Sequence, residues 1–239
     1  MRLIILLFIF CSFNICWSAQ FNAIFQDQNK IYWSQHPGIG FKTYLCSAKK
    51  YWIPSSVGEF KSNCDVLIQL NRSGNNLIIP NEWPHQILKT ALQLFAIDSD
   101  EIITTRVKIL GVLDDLYFYR GTLGLDWNDN KLKLWAPTAN WVKLYLYRSG
   151  TKNPPFKTLN MKWKNGVWEV PFTKEWKNLY YKFEVNLFDP YRNQIMSHLV
   201  TDPYSVSLSA NSERSQIINL KDSITKPEGW NNYVRRSMA

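Results

Sequence analysis

The residue types that could carry catalytic chemistry are few in this chain and do not fall into known catalytic or metal-binding spacings. It contains three histidines and four cysteines, and none of them forms a CxxC or HxxxH pair. A structural zinc site needs paired ligands of this kind, so the sequence predicts no metal. The glycine patterns of phosphate-binding loops and of serine-hydrolase nucleophile turns are also absent, so we expect no cofactor and no serine nucleophile.

Aromatic side chains are the residues that this chain has in excess. Of its 239 residues, 15% are Phe, Trp or Tyr, and 11 are Trp. Short aromatic and β-branched segments between polar turns are typical of β-strands. The chain is also 46% hydrophobic, which suffices for one large domain or two small ones and excludes a disordered chain. The composition therefore predicts an all-β protein.

The N-terminus has the pattern of an export signal. Arg2 is followed by an unbroken apolar run at residues 3–10, and Ser18 and Ala19 supply the small residues of a cleavage site. The run is too short to span a bilayer comfortably. We therefore expect residues 1–19 to be a signal peptide. The mature protein would be exported, either periplasmic or secreted, with no stable membrane insertion after cleavage.

Export changes the expected state of the cysteines. Cys11 and Cys16 would leave with the signal, and Cys46 and Cys64 would remain as an even pair in an oxidising compartment. A disulfide between these two would contribute about 3 kcal/mol through the entropy of the unfolded chain. Two buried free thiols are the alternative.

The surplus of positive charge does not by itself indicate a nucleic-acid partner. The formal net charge is +9, with 28 Lys and Arg against 19 Asp and Glu. These basic residues are scattered singly, and the densest spots are the pairs at 49–50 and 235–236. Nucleic-acid binding is typical of basic residues gathered on one face, so we expect a solvated surface and no nucleic-acid partner.

Two stretches of the chain predict two separate β-sandwiches. Residues 20–118 hold short apolar runs with turn signals between them, and Pro84 either starts a short helix through Lys89 or ends a loop. Residues 119–222 have clearer alternation, and strands at this spacing are typical of an immunoglobulin-like sandwich of about 100 residues. The predicted fold class is all-β, with two immunoglobulin-like β-sandwich domains after the signal peptide.

One hairpin in the second stretch has a strong local signal. Asn165 and Gly166 favour the positive φ values of a type I′ turn. The register that this turn sets would place Trp163 opposite Trp168 on the two strands.

Eight short motifs occur in a specific order along the chain. They lie at residues 111–117, 123–124, 134–139, 166–168, 180–185, 201–205, 207–211 and 226–230. In this order they resemble the N-terminal region of the pullulanase-type starch-debranching enzymes of glycoside hydrolase family 13, a group that includes the plant limit dextrinases. The resemblance is strong from about residue 107 to 230 and weaker from 31 to 106.

The resemblance implies that the catalytic part of such enzymes is missing from this sequence. In that family a (β/α)₈ barrel follows this region and hydrolyses α-1,6 linkages with an aspartate nucleophile, a glutamate acid/base and a second aspartate. None of those catalytic motifs matches a position here, and residues 223–239 form a tail where the barrel would begin. Asp114 and Asp115 would point to opposite faces of a strand, which makes a poor acid/base pair. We therefore assign no catalytic residue and expect no enzyme activity from this chain alone.

The second predicted sandwich resembles carbohydrate-binding module 48, which precedes many α-glucan enzymes. Modules of this type stack pyranose rings on exposed Trp side chains, helped by Lys and Asn. Lys182 matches a sugar-contacting lysine of the glycogen-binding relatives, and Trp163, Trp168 and Trp176 are further carbohydrate-binding candidates that could instead be core or cap residues. The loop that carries a stacking Trp in those relatives corresponds to residues 149–156, which hold no Trp.

Three functions follow from this sequence. The first, which we favour, is the non-catalytic N-terminal portion of an exported pullulanase-type debranching enzyme. This portion would support the barrel in cis and contact an α-glucan such as starch, glycogen or pullulan. The second is a stand-alone secreted α-glucan-binding module. The third is a domain that docks a separately encoded barrel in trans.

Overall fold

Short strands separated by turns organise the described chain. The computed structural model describes residues 22–56, 58–99 and 101–232. The predicted signal peptide, residues 1–19, lies outside the described residues. Within the described ranges the structure is mostly β, arranged in two domains, so the predicted all-β class is confirmed.

The first domain is built from seven strands and two short helices. They are β1 (Ala23–Asp27), β2 (Lys30–Trp33), β3 (Lys42–Ala48), α1 (Glu59–Ser62), β4 (Val66–Ser73), β5 (Asn76–Ile78), β6 (Ala91–Ile97), β7 (Ile102–Lys108) and α2 (Leu110–Tyr117). The strands pair in the order β1-β2-β5-β4-β3-β6-β7. Strand β4 pairs with β3 along its first half and with β5 along its second half. A short parallel contact between β1 and β7 joins the two ends. A 3-10 helix, His85–Lys89, follows Pro84.

Strand β6 lies between two apolar clusters. It is buried at every position, which requires cover on both of its faces. Leu92 and Leu94 belong to the main core of the first domain, whereas Phe95 packs with Phe60 of α1 in a second, smaller cluster. A disulfide between Cys46 and Cys64 joins β3 to the end of this cover. The cross-link therefore ties α1 to the sheet that it shields.

Helix α2 corrects one expectation about local structure. Asp114 and Asp115 lie on this helix and not on a strand, because the apolar residues of the segment recur at helical spacing and pack toward the first domain's core. The Asp115 carboxylate accepts the backbone N–H of Gln28 at 3.0 Å. The pair does not form an acid/base dyad in either arrangement.

The second domain is a sandwich of two antiparallel sheets. Its strands are β8 (Gly124–Asp126), β9 (Lys131–Trp135), β10 (Trp141–Tyr147), β11 (Lys157–Asn160), β12 (Lys162–Lys164), β13 (Val167–Pro171), β14 (Tyr180–Asp189), β15 (Gln194–Val200) and β16 (Ser215–Gln216). One sheet has the order β11-β10-β14-β15, with β16 also paired to β14, and the other has the order β12-β13-β9-β8. Further 3-10 helices occur at Lys174–Trp176, Ala210–Ser212, Ser223–Thr225 and Trp230–Asn232.

The hairpin between β12 and β13 has the predicted turn and register. Asn165 and Gly166 have φ values of 45° and 87°, as a type I′ turn requires. Trp163 pairs directly with Trp168 across the two strands. The turn packs against the first domain, because a Cβ atom on Gly166 would lie only 2.8 Å from the Cβ of Tyr117.

Candidate functional site

Alternation along β10 and β14 separates a buried face from a partly exposed one. Tyr181, Phe183 and Val185 of β14 point into the core of the sandwich, so Lys182 and Glu184 lie on the opposite side. We call the partly exposed side the β10–β14 outer face and define it by six residues. They are Trp141, Lys143, Tyr145, Lys182, Glu184 and Asn186.

The antiparallel register brings these six residues together in three cross-strand pairs. Tyr145 pairs with Lys182, Lys143 with Glu184, and Trp141 with Asn186. Directly opposed side chains in such pairs have Cβ atoms about 5 Å apart. The strand pairing therefore produces a continuous patch of two aromatic rings, two amines, one carboxylate and one amide.

Hydrogen bonds fix the acceptor groups of this patch. The Tyr145 hydroxyl donates to Glu184 Oε2 at 2.7 Å, and this bond raises the pKa of Tyr145. The Asn186 amide donates to Ser197 Oγ and accepts from Asn140 Nδ2, both at 3.2 Å. These contacts orient the Glu184 and Asn186 side chains before any ligand arrives.

Lys182 is the available cation of the patch. Among the described residues, no carboxylate forms an ion pair with its ammonium group. The ammonium of Lys143 instead lies 4.5 Å from the centroid of the Trp141 ring, in a cation–π contact. The three donors of the Lys182 ammonium are therefore not occupied by a carboxylate of the described residues.

The chemistry of this face suits recognition of a hydroxylated ligand and not hydrolysis. Donors on Lys182 and acceptors on Glu184 and Asn186 match the paired hydroxyl groups of a sugar. Aromatic rings at Trp141 and Tyr145 offer apolar area beside them. Glycoside hydrolysis uses two carboxyl groups that flank the bond, and this face has Glu184 as its one carboxylate.

Two of the tryptophans considered for carbohydrate binding are packed in the core. Trp168 and Trp176 have only 6% and 9% of their surface exposed, and both belong to the main apolar cluster of the second domain. The ammonium of Lys157 also lies 5.5 Å from the Trp176 ring centroid. Neither ring offers a free face on which a sugar could stack.

Trp163 is exposed, but it lies on the other sheet from Lys182. Its side chain is 46% exposed and stands edge-on to Tyr117, with ring centroids 6.5 Å apart. The ammonium of Lys89 lies 5.5 Å from its ring centroid. Trp163 therefore belongs to the contact between the two domains and not to the β10–β14 outer face.

A clamp that the sequence did not reveal holds the loop at residues 149–156. Buried Arg214 donates to the carbonyl of Ser149 at 2.6 Å and to the carbonyl of Asn153 at 2.8 Å. Its guanidinium group also lies 3.7 Å from the centroid of the Tyr147 ring. These partners are more than 60 residues away along the chain, so no local pattern could indicate them.

The described ranges hold neither a metal-binding group of side chains nor a helix that could cross a membrane. Residues 22–56, 58–99 and 101–232 hold no group of three or more His, Cys, Asp or Glu side chains placed to bind a metal ion. In the same ranges, no helix has the length and apolar character needed to cross a membrane.

Comparisons with known proteins find similar sequences among carbohydrate-active enzymes. Residues 122–205 match the family carbohydrate-binding module 48, described as the isoamylase N-terminal domain. The chain is 32% identical over 152 residues to chloroplastic pullulanase 1 of Arabidopsis thaliana, and 33% identical over 138 residues to a pullulanase of Klebsiella pneumoniae. These alignments cover 62% and 56% of this chain but only 16% and 13% of the two relatives.

Solved structures show the same relationship at the level of the fold. The structure of Klebsiella pneumoniae pullulanase complexed with maltotriose is 26% identical, with a TM-score of 0.76 over 90% of this chain and 22% of that one. Pullulanase from Bacillus acidopullulyticus gives a TM-score of 0.52 over 76% of this chain and 20% of that one. The predicted resemblance is confirmed: this chain is similar, in sequence and in fold, to a β-rich part of the pullulanases that includes a carbohydrate-binding module 48 domain.

Proposed function

We propose that this chain is a non-catalytic region of an exported pullulanase-type debranching enzyme, in which it contacts α-glucan and supports a catalytic barrel. The similarity to two pullulanases and the match to carbohydrate-binding module 48 support this assignment. The N-terminal sequence pattern supports export. A stand-alone glucan-binding module would use the same surface.

The β10–β14 outer face carries the proposal for glucan contact. Lys182 has no carboxylate partner among the described residues, and it sits directly opposite Tyr145. An amine beside an aromatic ring and an oriented carboxylate is suited to a glucose unit, which has an apolar face and a rim of hydroxyl groups. A similar pullulanase of Klebsiella pneumoniae was solved as a complex with maltotriose, which supports an α-glucan as the ligand class.

Exposed apolar residues support the second part of the proposal, the contact with a barrel. They are concentrated in the C-terminal part of the described chain, at Tyr204, Val206, Leu208, Leu220, Ile224 and Trp230. Large exposed apolar areas are typical of surfaces that meet another domain. The relatives' remaining length would supply such a domain, because the alignments span 16% and 13% of them.

Affinity electrophoresis in gels that contain glycogen tests the glucan contact. Lys182→Met keeps the aliphatic stem and removes the charged donor, so we expect the apparent affinity for glycogen to fall about tenfold. Lys162→Met is the matched control, since Lys162 is an exposed strand lysine on the other sheet. Equal retardation of the wild-type chain and the Lys182 variant would contradict the proposed face.

A separate reducing-sugar assay with pullulan tests the absence of catalysis. The purified chain should release no reducing sugar from pullulan, because the β10–β14 outer face offers one carboxylate where hydrolysis needs two. Release of reducing sugar that disappears on substitution of a carboxylate would overturn this part of the proposal.

A further inference from the structure

A cavity of about 400 Å³ lies at the junction of the two domains and shares no residue with the β10–β14 outer face. Leu88, Leu92 and Val107 of the first domain form one wall, and all three are almost fully buried. Phe188, near the end of β14, and Pro190, just after that strand, line it from the second domain. Its volume lies within the range of pockets that hold small organic ligands, roughly 300–1,000 Å³.

Specific contacts between the domains hold the two walls in place. The Asn193 side chain accepts the backbone N–H of Tyr51 at 2.6 Å and donates to the Tyr51 carbonyl at 3.0 Å. The Tyr51 ring stands edge-on to Phe188, with centroids 5.2 Å apart, and Arg106 donates to the carbonyl of Pro190 at 3.3 Å. The cavity is therefore preformed, which lowers the entropic cost of binding.

The charge at the cavity has one sign. Lys89 and Lys108 contribute to the lining, and none of the described residues that line it is acidic. Burial lowers the pKa of Lys89. Among the described residues, no carboxylate forms an ion pair with either lysine. The Lys89 ammonium lies 5.5 and 6.0 Å from the ring centroids of Trp163 and Trp168, and an anion beside it would add the full counter-charge that these rings do not supply.

The lining also distinguishes between classes of ligand. Most lining side chains are aliphatic or aromatic, so a sugar bound there would place hydroxyl groups against apolar surface, at a cost in free energy for each hydroxyl that finds no partner. An alkyl chain would bury the apolar area that Ile109, Leu110 and Phe188 expose in the lining, with no such cost. The ligand that fits both the lining and the charge has an apolar body and one anionic end.

We propose that the junction cavity binds a small amphipathic carboxylate, with its alkyl chain against Ile109, Leu110 and Phe188 and its carboxylate beside Lys89. This site is independent of the proposed glucan contact. It gives the chain a second ligand class, chosen by apolar fit and one charge.

Calorimetric titration of the full chain with decanoate, below its micelle concentration, tests the site. We expect saturable binding with a stoichiometry of one, weakened about tenfold in Lys89→Met and retained in Lys89→Arg, which keeps the charge. Lys162→Met should bind decanoate as the wild type does. Methyl NMR shifts should change at Leu88 and Leu92, which locates the ligand.

Three outcomes would overturn the proposal. They are the absence of saturable binding to the wild type, equal affinity of Lys89→Met, and methyl shifts confined to residues outside the cavity. A thermal melt of each variant shows whether it is folded. If Lys89→Met is not folded, saturable binding by the wild type and its methyl shifts still test the site. Glycogen retention should be unchanged in Lys89→Met, so failure at this cavity is distinguishable from failure of the glucan contact.

Discussion

At the residue scale, the buried pair Tyr181 and Asp202 couples the stability of the second domain to pH. The Tyr181 hydroxyl donates to Asp202 Oδ2 at 2.7 Å, and the backbone N–H of Tyr204 donates to Asp202 Oδ1 at 2.8 Å. Burial raises the pKa of Asp202 above 3.8, although both hydrogen bonds act to lower it. The folded state therefore binds a proton here more tightly than the unfolded chain, and this group's contribution to stability is lost as pH rises through the folded pKa.

Tyr181→Phe should lower the free energy of unfolding by about 1–3 kcal/mol near neutral pH. The variant leaves the ionised Asp202 buried with one donor fewer, which raises its folded pKa further. The loss should therefore be smaller once the pH falls below the folded pKa, because Asp202 is then protonated in the folded wild type and in the folded variant. Urea unfolding at about pH 7 and about pH 3.5 measures the difference, with Tyr180→Phe as the control on the same strand. An equal loss at both pH values would contradict the coupling.

Single residues also show what the sequence could and could not indicate about the site. Strict alternation along β14 was enough to place Lys182 on the opposite side from Tyr181 and Phe183. Trp168 and Trp176 were ambiguous, because a core tryptophan and a sugar-stacking tryptophan look alike until their exposure is known. Arg214 was missed because its role depends on contacts with a loop that is distant in sequence.

At the element scale, the β12–β13 hairpin joins local turn chemistry to contact between domains. The residues Asn165 and Gly166 predicted both the turn and the Trp163–Trp168 register, because backbone conformation at two positions determines how the strands meet. Helix α2 was not predicted, since a short apolar segment fits either periodicity. The parallel contact between β1 and β7 was also not predictable, because it pairs strands at opposite ends of the domain.

Gly166→Ala should destabilise the protein by about 1–3 kcal/mol, through two effects at one position. The residue has a φ of 87°, which favours glycine, and an added Cβ would lie 2.8 Å from the Cβ of Tyr117. Gly58→Ala is the matched control, because Gly58 has a φ of −72° and open space around its Cα. Thermal unfolding measures both variants. Similar melting temperatures for the two would show that the turn is not under this constraint.

At the scale of the whole molecule, the contacts between the domains determine whether they unfold together. Asn193 joins the domains through two hydrogen bonds to the backbone of Tyr51. Further hydrogen bonds run from Arg106 to the carbonyl of Pro190 at 3.3 Å and from the Trp135 indole nitrogen to the carbonyl of Tyr117 at 2.8 Å. The proposed glucan contact lies on the second domain, whereas the junction cavity needs both domains. Loss of the Asn193 contact should therefore affect the cavity and leave the glucan face unchanged.

Asn193→Gly tests this division, because the residue has a φ of 55° that glycine adopts without strain. The variant keeps the turn and removes both side-chain hydrogen bonds, so it should lower the coupling between the domains by about 1–3 kcal/mol. We expect the wild type to unfold in one calorimetric transition that broadens or splits in the variant, and decanoate binding to weaken while glycogen retention stays constant. Asn130→Gly is the matched control, since Asn130 has a φ of 51° and is exposed in a turn of the second domain. If both variants unfold like the wild type, the domains are held together by contacts other than the Asn193 side chain.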